Sequence, residues 1–111
     1  IYFFTHLLMS TPTILCRLDD ISDGGAKRVV FDGQSFAVFR HGEEVYAISD
    51  RCSHQGGSLS NGFLDGNVVE CPWHGAMFDI RTGEALSLPA VRGVSSLPVR
   101  VVGGNVIVDV S

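Results

Sequence analysis

Short runs of Val, Ile, Phe and Tyr alternate with turn signals along most of the chain. The turn signals pair glycine with a polar residue, as in Asp32-Gly33, His41-Gly42 and Asn61-Gly62. Many short strands punctuated in this way are typical of an all-β sandwich or barrel. No segment keeps the period of about 3.6 residues that marks an amphipathic α-helix, although a short helical turn is expected near residues 19–22.

Two antiparallel hairpins stand out in this pattern. Asp32-Gly33 separates the apolar runs 28–31 and 35–39, and such a dipeptide favours the primed turn that needs positive φ. A further strand is expected over residues 44–48. Residues 98–102 and 106–110 flank Gly103-Gly104-Asn105 and predict a second hairpin near the C-terminus.

The pattern also predicts how the chain is organised. Strands are expected before residue 50 and after residue 84, and the stretch of about 50–80 holds the chemistry-bearing motifs with a hairpin between them. We therefore expect one domain over residues 9–111, with a small subdomain of about 50–80 inserted into a larger antiparallel base. Residues 1–8 precede Met9 and are predicted to be an extension that is not native to the domain, so His6 is not counted as a ligand.

Composition narrows the possible functions. The 111 residues carry a formal net charge of −4, which argues against nucleic-acid binding, because that depends on basic contacts to phosphates. No apolar run reaches the roughly 20 residues that span a bilayer, so we expect no membrane segment. The three cysteines suggest no disulfide framework and favour a reducing compartment such as the cytoplasm. Cys16 is interpreted as a small, partly buried residue of the first strand.

Two short motifs each combine one thiol with one imidazole. They are Cys52-Ser53-His54 and Cys71-Pro72-Trp73-His74, with sixteen residues between His54 and Cys71. Two cysteines and two histidines are the ligand set of a [2Fe–2S] centre in which histidines replace two cysteines on one iron. Neutral imidazoles reduce the negative charge of such a centre, so an added electron is accepted more readily than in an all-thiolate centre. Gly56-Gly57 after the first motif and Gly75 after the second are expected to let the backbone approach closely and to adopt unusual φ.

Three other interpretations of these motifs fit the sequence less well. A structural zinc site normally pairs like ligands as Cys-x₂₋₄-Cys and His-x₃₋₅-His, whereas each motif here mixes the two types. A Cys–His nucleophile pair needs a third orienting group and a cleft, and nothing in the sequence marks either. Ordinary surface histidines are the default for a lone histidine such as His41, but not for two histidines that each lie beside a cysteine in a glycine-rich stretch.

The two motifs resemble those of the Rieske family. The stretch from Cys71 to Asp79 (CPWHGAMFD), followed by Arg81-Thr82-Gly83, is similar to the Rieske-type ferredoxins of bacterial aromatic-ring-hydroxylating dioxygenases, and the similarity extends over residues 12–110. The resemblance implies the Rieske fold, one [2Fe–2S] cluster per chain, and the ligands Cys52 and Cys71 on one iron with His54 and His74 on the other. It also places Ser87-Leu88-Pro89-Ala90 where the family has a proline loop over the cluster.

Departures from another branch of this family predict the potential. High-potential Rieske proteins of respiratory complexes carry an extra cysteine in each motif, and a serine and a tyrosine hydroxyl that donate to the cluster sulfurs. The matching positions for these hydroxyls here are Ala76 and Phe78, which have no donor. Because the more negative reduced cluster is then less stabilised, we expect a potential near the low end of the range, about −150 mV.

The function implied by the resemblance is one-electron transport. The chain is expected to be a monomer without enzymatic activity of its own, taking electrons from an NAD(P)H-dependent flavin reductase and passing them to a terminal ring-hydroxylating oxygenase in aromatic compound catabolism. Candidates for the apolar contact rim are Trp73, Gln55, Pro89 and Phe63, and for Phe63 the alternative of packing that shields the cluster is favoured. The oxygenase itself is rejected because the chain supplies no mononuclear-iron triad. The alternative is a small Rieske-like subunit of an assimilatory nitrite reductase.

Overall fold

Ten strands build the part of the chain that the computed structural model describes, namely residues 12–52, 57–72, 75–88 and 92–108. The strands are β1 (Thr13–Arg17), β2 (Ala26–Phe31), β3 (Gln34–His41), β4 (Glu44–Ser49), β5 (Phe63–Asp65), β6 (Val68–Glu70), β7 (Met77–Asp79), β8 (Ser96–Leu97), β9 (Val99–Val102) and β10 (Asn105–Val108). Two single 3₁₀ turns, Leu18–Asp20 and Leu59–Asn61, are the helical elements of these residues. The predicted all-β class is therefore confirmed.

The base of the molecule consists of two antiparallel sheets, in the orders β1-β10-β9 and β2-β3-β4-β8. Strand β3 is buried on both faces, because its side chains alternate between two cores. Phe36 and Val38 pack in a core with residues of β1, β9 and β10, whereas Ala37 and Phe39 pack in a second core with residues of β5, β6 and β7. The four-stranded sheet is thus the middle layer of the fold.

The predicted hairpins are confirmed with small differences in their bounds. Asp32 and Gly33 have φ values of 54° and 76°, and the register pairs Phe31 with Gln34 across this two-residue turn. At the C-terminal hairpin the turn is Gly103-Gly104, and Asn105 already belongs to β10. The expected helical turn near residues 19–22 is the 3₁₀ turn at Leu18–Asp20.

A third, three-stranded antiparallel sheet, β5-β6-β7, lies in sequence between β4 and β8 of the middle layer. Leu64 pairs with Val69 and Val69 with Phe78, and this row faces the second core. The chain then returns to the base, where Leu97 of β8 pairs with Ala47 of β4. This sheet lies inside the predicted subdomain of about 50–80, whose bounds remain a prediction.

Cys16 lies in β1 with 8% of its surface exposed, as predicted. Residues 1–8, the expected extension, lie outside the described residues. Within the described residues no helix has the length and apolar character needed to cross a membrane.

Candidate metal centre

Two loops of equal length carry the predicted ligands. In the first ligand loop, residues 52–57, the N–H of Cys52 donates to the carbonyl oxygen of Gly57 at 2.8 Å. In the second ligand loop, residues 71–76, the N–H of Cys71 donates to the carbonyl oxygen of Ala76 at 2.7 Å. Each cysteine therefore starts a six-residue loop closed by the same bond. Gly75 has a φ of 73°, as expected, so the second loop uses a conformation that L side chains rarely adopt.

Both thiols point into the same apolar core. Cys52 and Cys71 are 2% and 1% exposed, and they belong to the second core together with Leu59, Val69 and Phe78. No disulfide joins any of the three cysteines of the chain. Two buried thiols presented by matched loops supply the soft ligands that an iron–sulfur centre requires, so the residues present fit such a group.

The histidine half of the predicted ligand set, His54 and His74, lies outside the described residues, as do Gln55, Trp73 and Pro89. Among the residues that are described, no group of three or more His, Cys, Asp or Glu side chains forms a metal site. The assignment of the four ligands therefore remains a prediction at this point.

The interior beside the loops lacks side-chain hydroxyl donors at the two positions singled out in the sequence. Ala76 and Phe78 are both fully buried, and neither side chain can donate a hydrogen bond. This burial is consistent with the predicted low potential, because fewer donors stabilise the reduced form less.

Asp50 is a site residue that sequence reasoning missed. Its carboxylate is 5% exposed and accepts hydrogen bonds from Ser58 Oγ at 2.8 Å and from the Ser60 N–H at 2.7 Å. Arg28 Nε lies 3.4 Å from its Oδ2. The backbone carbonyl oxygen of Asp50 accepts a hydrogen bond from the Leu59 N–H at 2.7 Å. Asp50 therefore ties together the two chain segments that enter and leave the first ligand loop.

A second close contact fixes the chain that follows the predicted proline loop. The Val94 N–H donates to the Gly83 carbonyl oxygen at 2.8 Å, and a Cβ at Gly83 would overlap the Val94 carbonyl oxygen. On the near side, the Met77 N–H donates to Ser87 Oγ at 3.2 Å, and Phe78 forms a β-bridge with Ala85. The chain on both sides of residues 89–91 is thus held against the subdomain.

Gly83→Ala is expected to destabilise the protein more than Gly24→Ala. Both glycines have a similar positive φ, +83° and +80°, but nothing lies within 4 Å of a Cβ at Gly24. The φ penalty of about 1–2 kcal/mol is common to both variants, and only Gly83→Ala must also displace Val94. Thermal unfolding of both variants measures the difference, and equal melting temperatures would show that the Gly83–Val94 contact is not restrictive.

A second ion pair joins Arg81 to Asp79 at the end of β7. Arg81 Nη2 lies 2.9 Å from Asp79 Oδ2, and Arg81 Nε donates to Asp79 Oδ1 at 3.1 Å. These bonds lower the pKa of Asp79.

In the base, burial raises the pKa of the Cys16 thiol, so Cys16 stays a neutral thiol and suits a packing role rather than a ligand role.

Comparison with known proteins agrees with this geometry. The family model for the Rieske [2Fe-2S] domain matches residues 11–98. The 3-phenylpropionate/cinnamic acid dioxygenase ferredoxin subunit of Photorhabdus laumondii is 43% identical over 98 residues, which are 87% of this chain and 92% of the relative.

Solved structures give the same result. The ferredoxin of carbazole 1,9a-dioxygenase from Nocardioides aromaticivorans IC177 superposes with a TM-score of 0.86 at 36% identity, covering 92% of this chain and 100% of that chain. The complex of reduced oxygenase and oxidized ferredoxin in carbazole 1,9a-dioxygenase matches with a TM-score of 0.81 at 38% identity, over 90% of this chain and 94% of that one.

A structure described as a nitrite reductase NADPH (small subunit) oxidoreductase protein also matches, with a TM-score of 0.78 at 24% identity, and shows the shared fold alone. The matched family model and the 43% identical relative, both spanning most of the chain, decide the family and its cofactor, a Rieske-type [2Fe–2S] cluster. The two buried cysteines on matched loops agree with this result. This chain belongs to the Rieske [2Fe–2S] domain family.

Proposed function

We propose that this protein is a one-electron carrier of an aromatic-ring-hydroxylating dioxygenase system. It takes electrons from an NAD(P)H-dependent flavin reductase and passes them to the terminal oxygenase. The observation that carries the proposal is the pair of matched six-residue loops, each beginning at a buried cysteine. Relatives that this chain covers almost completely are named as ferredoxin subunits of dioxygenases, which supports an electron-transfer component rather than a catalytic one.

The ligand assignment is part of the proposal. Cys52 and Cys71 hold one iron, and His54 and His74 hold the other. A cluster bound in this way supplies reversible one-electron transfer, with its potential raised by the neutral histidine ligands. The chain keeps both thiols in an apolar core, closes each loop with a backbone hydrogen bond, and anchors the first loop through Asp50. Each of these features limits how far the ligand loops rearrange when the cluster gains or loses an electron.

The partners follow from the same comparison. The similar carbazole-system ferredoxin is described in a complex with its oxygenase, which supports an oxygenase as the electron acceptor of this chain. The flavin reductase as donor, the monomeric state and a cytoplasmic location are proposed with it. The absence of disulfides among the three cysteines supports a reducing compartment.

The nitrite reductase alternative has weaker support. At 24% identity the nitrite-reductase small subunit shares the fold, whereas dioxygenase ferredoxin subunits reach 43–45% identity over most of the chain. We therefore retain the dioxygenase role.

Low-temperature EPR of the dithionite-reduced protein tests the ligand assignment. We expect two irons per chain and the signal of a centre with mixed histidine and cysteine ligation. His54→Cys and His74→Cys are each expected to change that signal and to lower the potential, because a thiolate adds negative charge to the cluster. Unchanged signals in both variants would contradict the assignment, as would zinc in place of iron.

The midpoint potential is the second test. Because Ala76 and Phe78 are buried without donors, we expect a value near −150 mV, at the low end of Rieske centres. A redox titration of the purified protein against dye mediators measures it. A midpoint above zero would mean that other donors stabilise the reduced cluster.

A further inference from the structure

The outer face of the third sheet forms an exposed apolar groove. Phe63, Val68 and Met77 line it together with Asp65 and Glu70, and its volume is about 300 Å³. The lining follows from the register, since Phe63 pairs with Glu70 and Glu70 with Met77. We name these five residues the outer groove.

Two of the three apolar side chains of the outer groove are exposed, and Val68 is half-buried. Phe63 is 68% exposed and Met77 is 37% exposed, whereas Val69 and Phe78 on the inner face are fully buried. Packing, the role favoured for Phe63 from the sequence, is therefore wrong. Leu86, 46% exposed, extends the apolar strip, because its N–H donates to the Met77 carbonyl oxygen at 2.8 Å. A contiguous apolar strip with a polar rim is typical of a protein contact surface.

The charge of the groove is negative. Among the described residues neither Asp65 nor Glu70 forms a salt bridge, and the one arginine of residues 57–88, Arg81, is paired with Asp79. This stretch holds four carboxylates and one arginine, a formal charge of −3 out of −4 for the whole chain. The surface that complements it carries lysine or arginine beside an apolar side chain.

The groove also adjoins the metal centre. Glu70 directly precedes Cys71, and a Cβ on Gly75 would lie 3.5 Å from Glu70 Oε2. The Glu70 side chain therefore both lines the groove and lies beside the second ligand loop.

We propose that the outer groove is a docking site for the terminal oxygenase, which inserts an apolar side chain flanked by lysine or arginine. This inference rests on the proposed function, because it identifies a surface by which the carrier meets its acceptor. We assign the oxygenase because a ferredoxin 38% identical to this chain is described in complex with one. The groove volume of about 300 Å³ lies at the lower end of the range for ligand pockets, about 300–1,000 Å³. A groove of this size fits side chains of a partner protein.

The test uses Asp65→Lys and Phe63→Ala in the cluster-loaded protein. Matched controls lie on the base: Glu43→Lys for the charge, and Val30→Ala for an apolar side chain that is 61% exposed. Each protein is reduced with dithionite and mixed in a stopped-flow instrument with the oxygenase component of the Photorhabdus laumondii 3-phenylpropionate/cinnamic acid dioxygenase. The dependence of the observed electron-transfer rate on oxygenase concentration gives an apparent Kd and a limiting rate.

We expect Asp65→Lys to raise the apparent Kd about tenfold at low salt and Phe63→Ala about fivefold, which are ordinary losses for a contact residue. Salt should reduce the Asp65→Lys effect, because exposed charges are screened. Limiting rates, midpoint potentials and EPR spectra should match the parent, and the controls should stay within about twofold.

Three results would overturn the inference. If the parent reduces the oxygenase and both groove variants match the controls, the groove is not the docking site, although the carrier function stands. A second assay replaces dithionite with NADH and the flavin reductase of the same dioxygenase system; if the groove variants slow only this step, the assignment to the oxygenase is wrong. If the parent itself, with a normal EPR spectrum, reduces no oxygenase, the proposed function fails and the inference falls with it.

Discussion

Cys71→Ser is expected to yield a protein that holds no cluster and melts at a much lower temperature. The Cys71 side chain is 1% exposed in the core beneath the loops. Serine replaces a soft thiolate with a hydroxyl that iron–sulfur centres use poorly, and it buries a polar group in apolar surroundings. Because the binding energy of a metal centre is in part folding energy, both effects act in the same direction.

The size of the effect follows from the size of the domain. A loss of several kcal/mol lowers the melting temperature by more than about 10 °C, since each kcal/mol corresponds to roughly 4–8 °C in a small domain. Iron per chain, the visible absorption of the cluster and thermal unfolding followed by circular dichroism measure the outcome.

Cys16→Ser is the matched control. Cys16 is also buried, at 8% exposure, but it lies in β1 of the base. Its replacement should cost about 1–3 kcal/mol for the buried hydroxyl and leave the iron content and the EPR signal unchanged. Loss of iron from Cys16→Ser together with its retention in Cys71→Ser would contradict the ligand assignment.

Local turn chemistry explains why much of the fold could be predicted from sequence. A two-residue turn such as Asp32-Gly33 needs positive φ, and aspartate followed by glycine tolerates it. The apolar run Phe36-Ala37-Val38-Phe39 predicts a strand, but its burial on both faces reflects a middle layer that only the packing reveals. The strand could therefore be predicted, and its two cores could not.

The parts that escaped prediction depend on contacts distant in sequence. Strand β8 has two residues, Ser96–Leu97, which are too few to show an alternating pattern, and it exists because β4 offers it a partner. Phe63 is an apolar strand residue, and its face of the sheet is fixed only by the register with β6. The cysteines were found because each stands beside a histidine within a few residues.

Asp50 is the clearest case of a residue whose role was invisible in sequence. It stands between Ser49 and Arg51 at the end of a strand, where a charged residue is ordinarily solvated. Its partners come from positions 28, 58 and 60, so only the folded chain brings them to one carboxylate. Because these partners are distant in sequence, replacing Asp50 tests whether its carboxylate anchors the first ligand loop.

Asp50→Ala is expected to cost about 3 kcal/mol and to shorten the lifetime of the bound cluster. Removing the carboxylate leaves the Ser60 N–H without its acceptor and the Ser58 hydroxyl with the Ser60 hydroxyl at 3.0 Å, and a hydrogen bond to a charged group contributes about 1.5–3 kcal/mol. The first ligand loop then loses the side chain that ties residue 50 to residues 58 and 60. Melting temperature and the half-life of the visible absorption at fixed temperature report the two effects separately.

Two further variants separate the anchor from simple charge loss. Asp50→Asn keeps an oxygen for the Ser60 N–H and should fall between Asp50→Ala and the parent in both measurements. Arg28→Ala removes the cation at 3.4 Å, but the Arg28 side chain is 59% exposed, so its loss should cost less than about 1 kcal/mol. The anchor role requires the order Asp50→Ala, Asp50→Asn, Arg28→Ala in decreasing severity. If Arg28→Ala matched Asp50→Ala, the ion pair rather than the two hydrogen bonds would hold the loop.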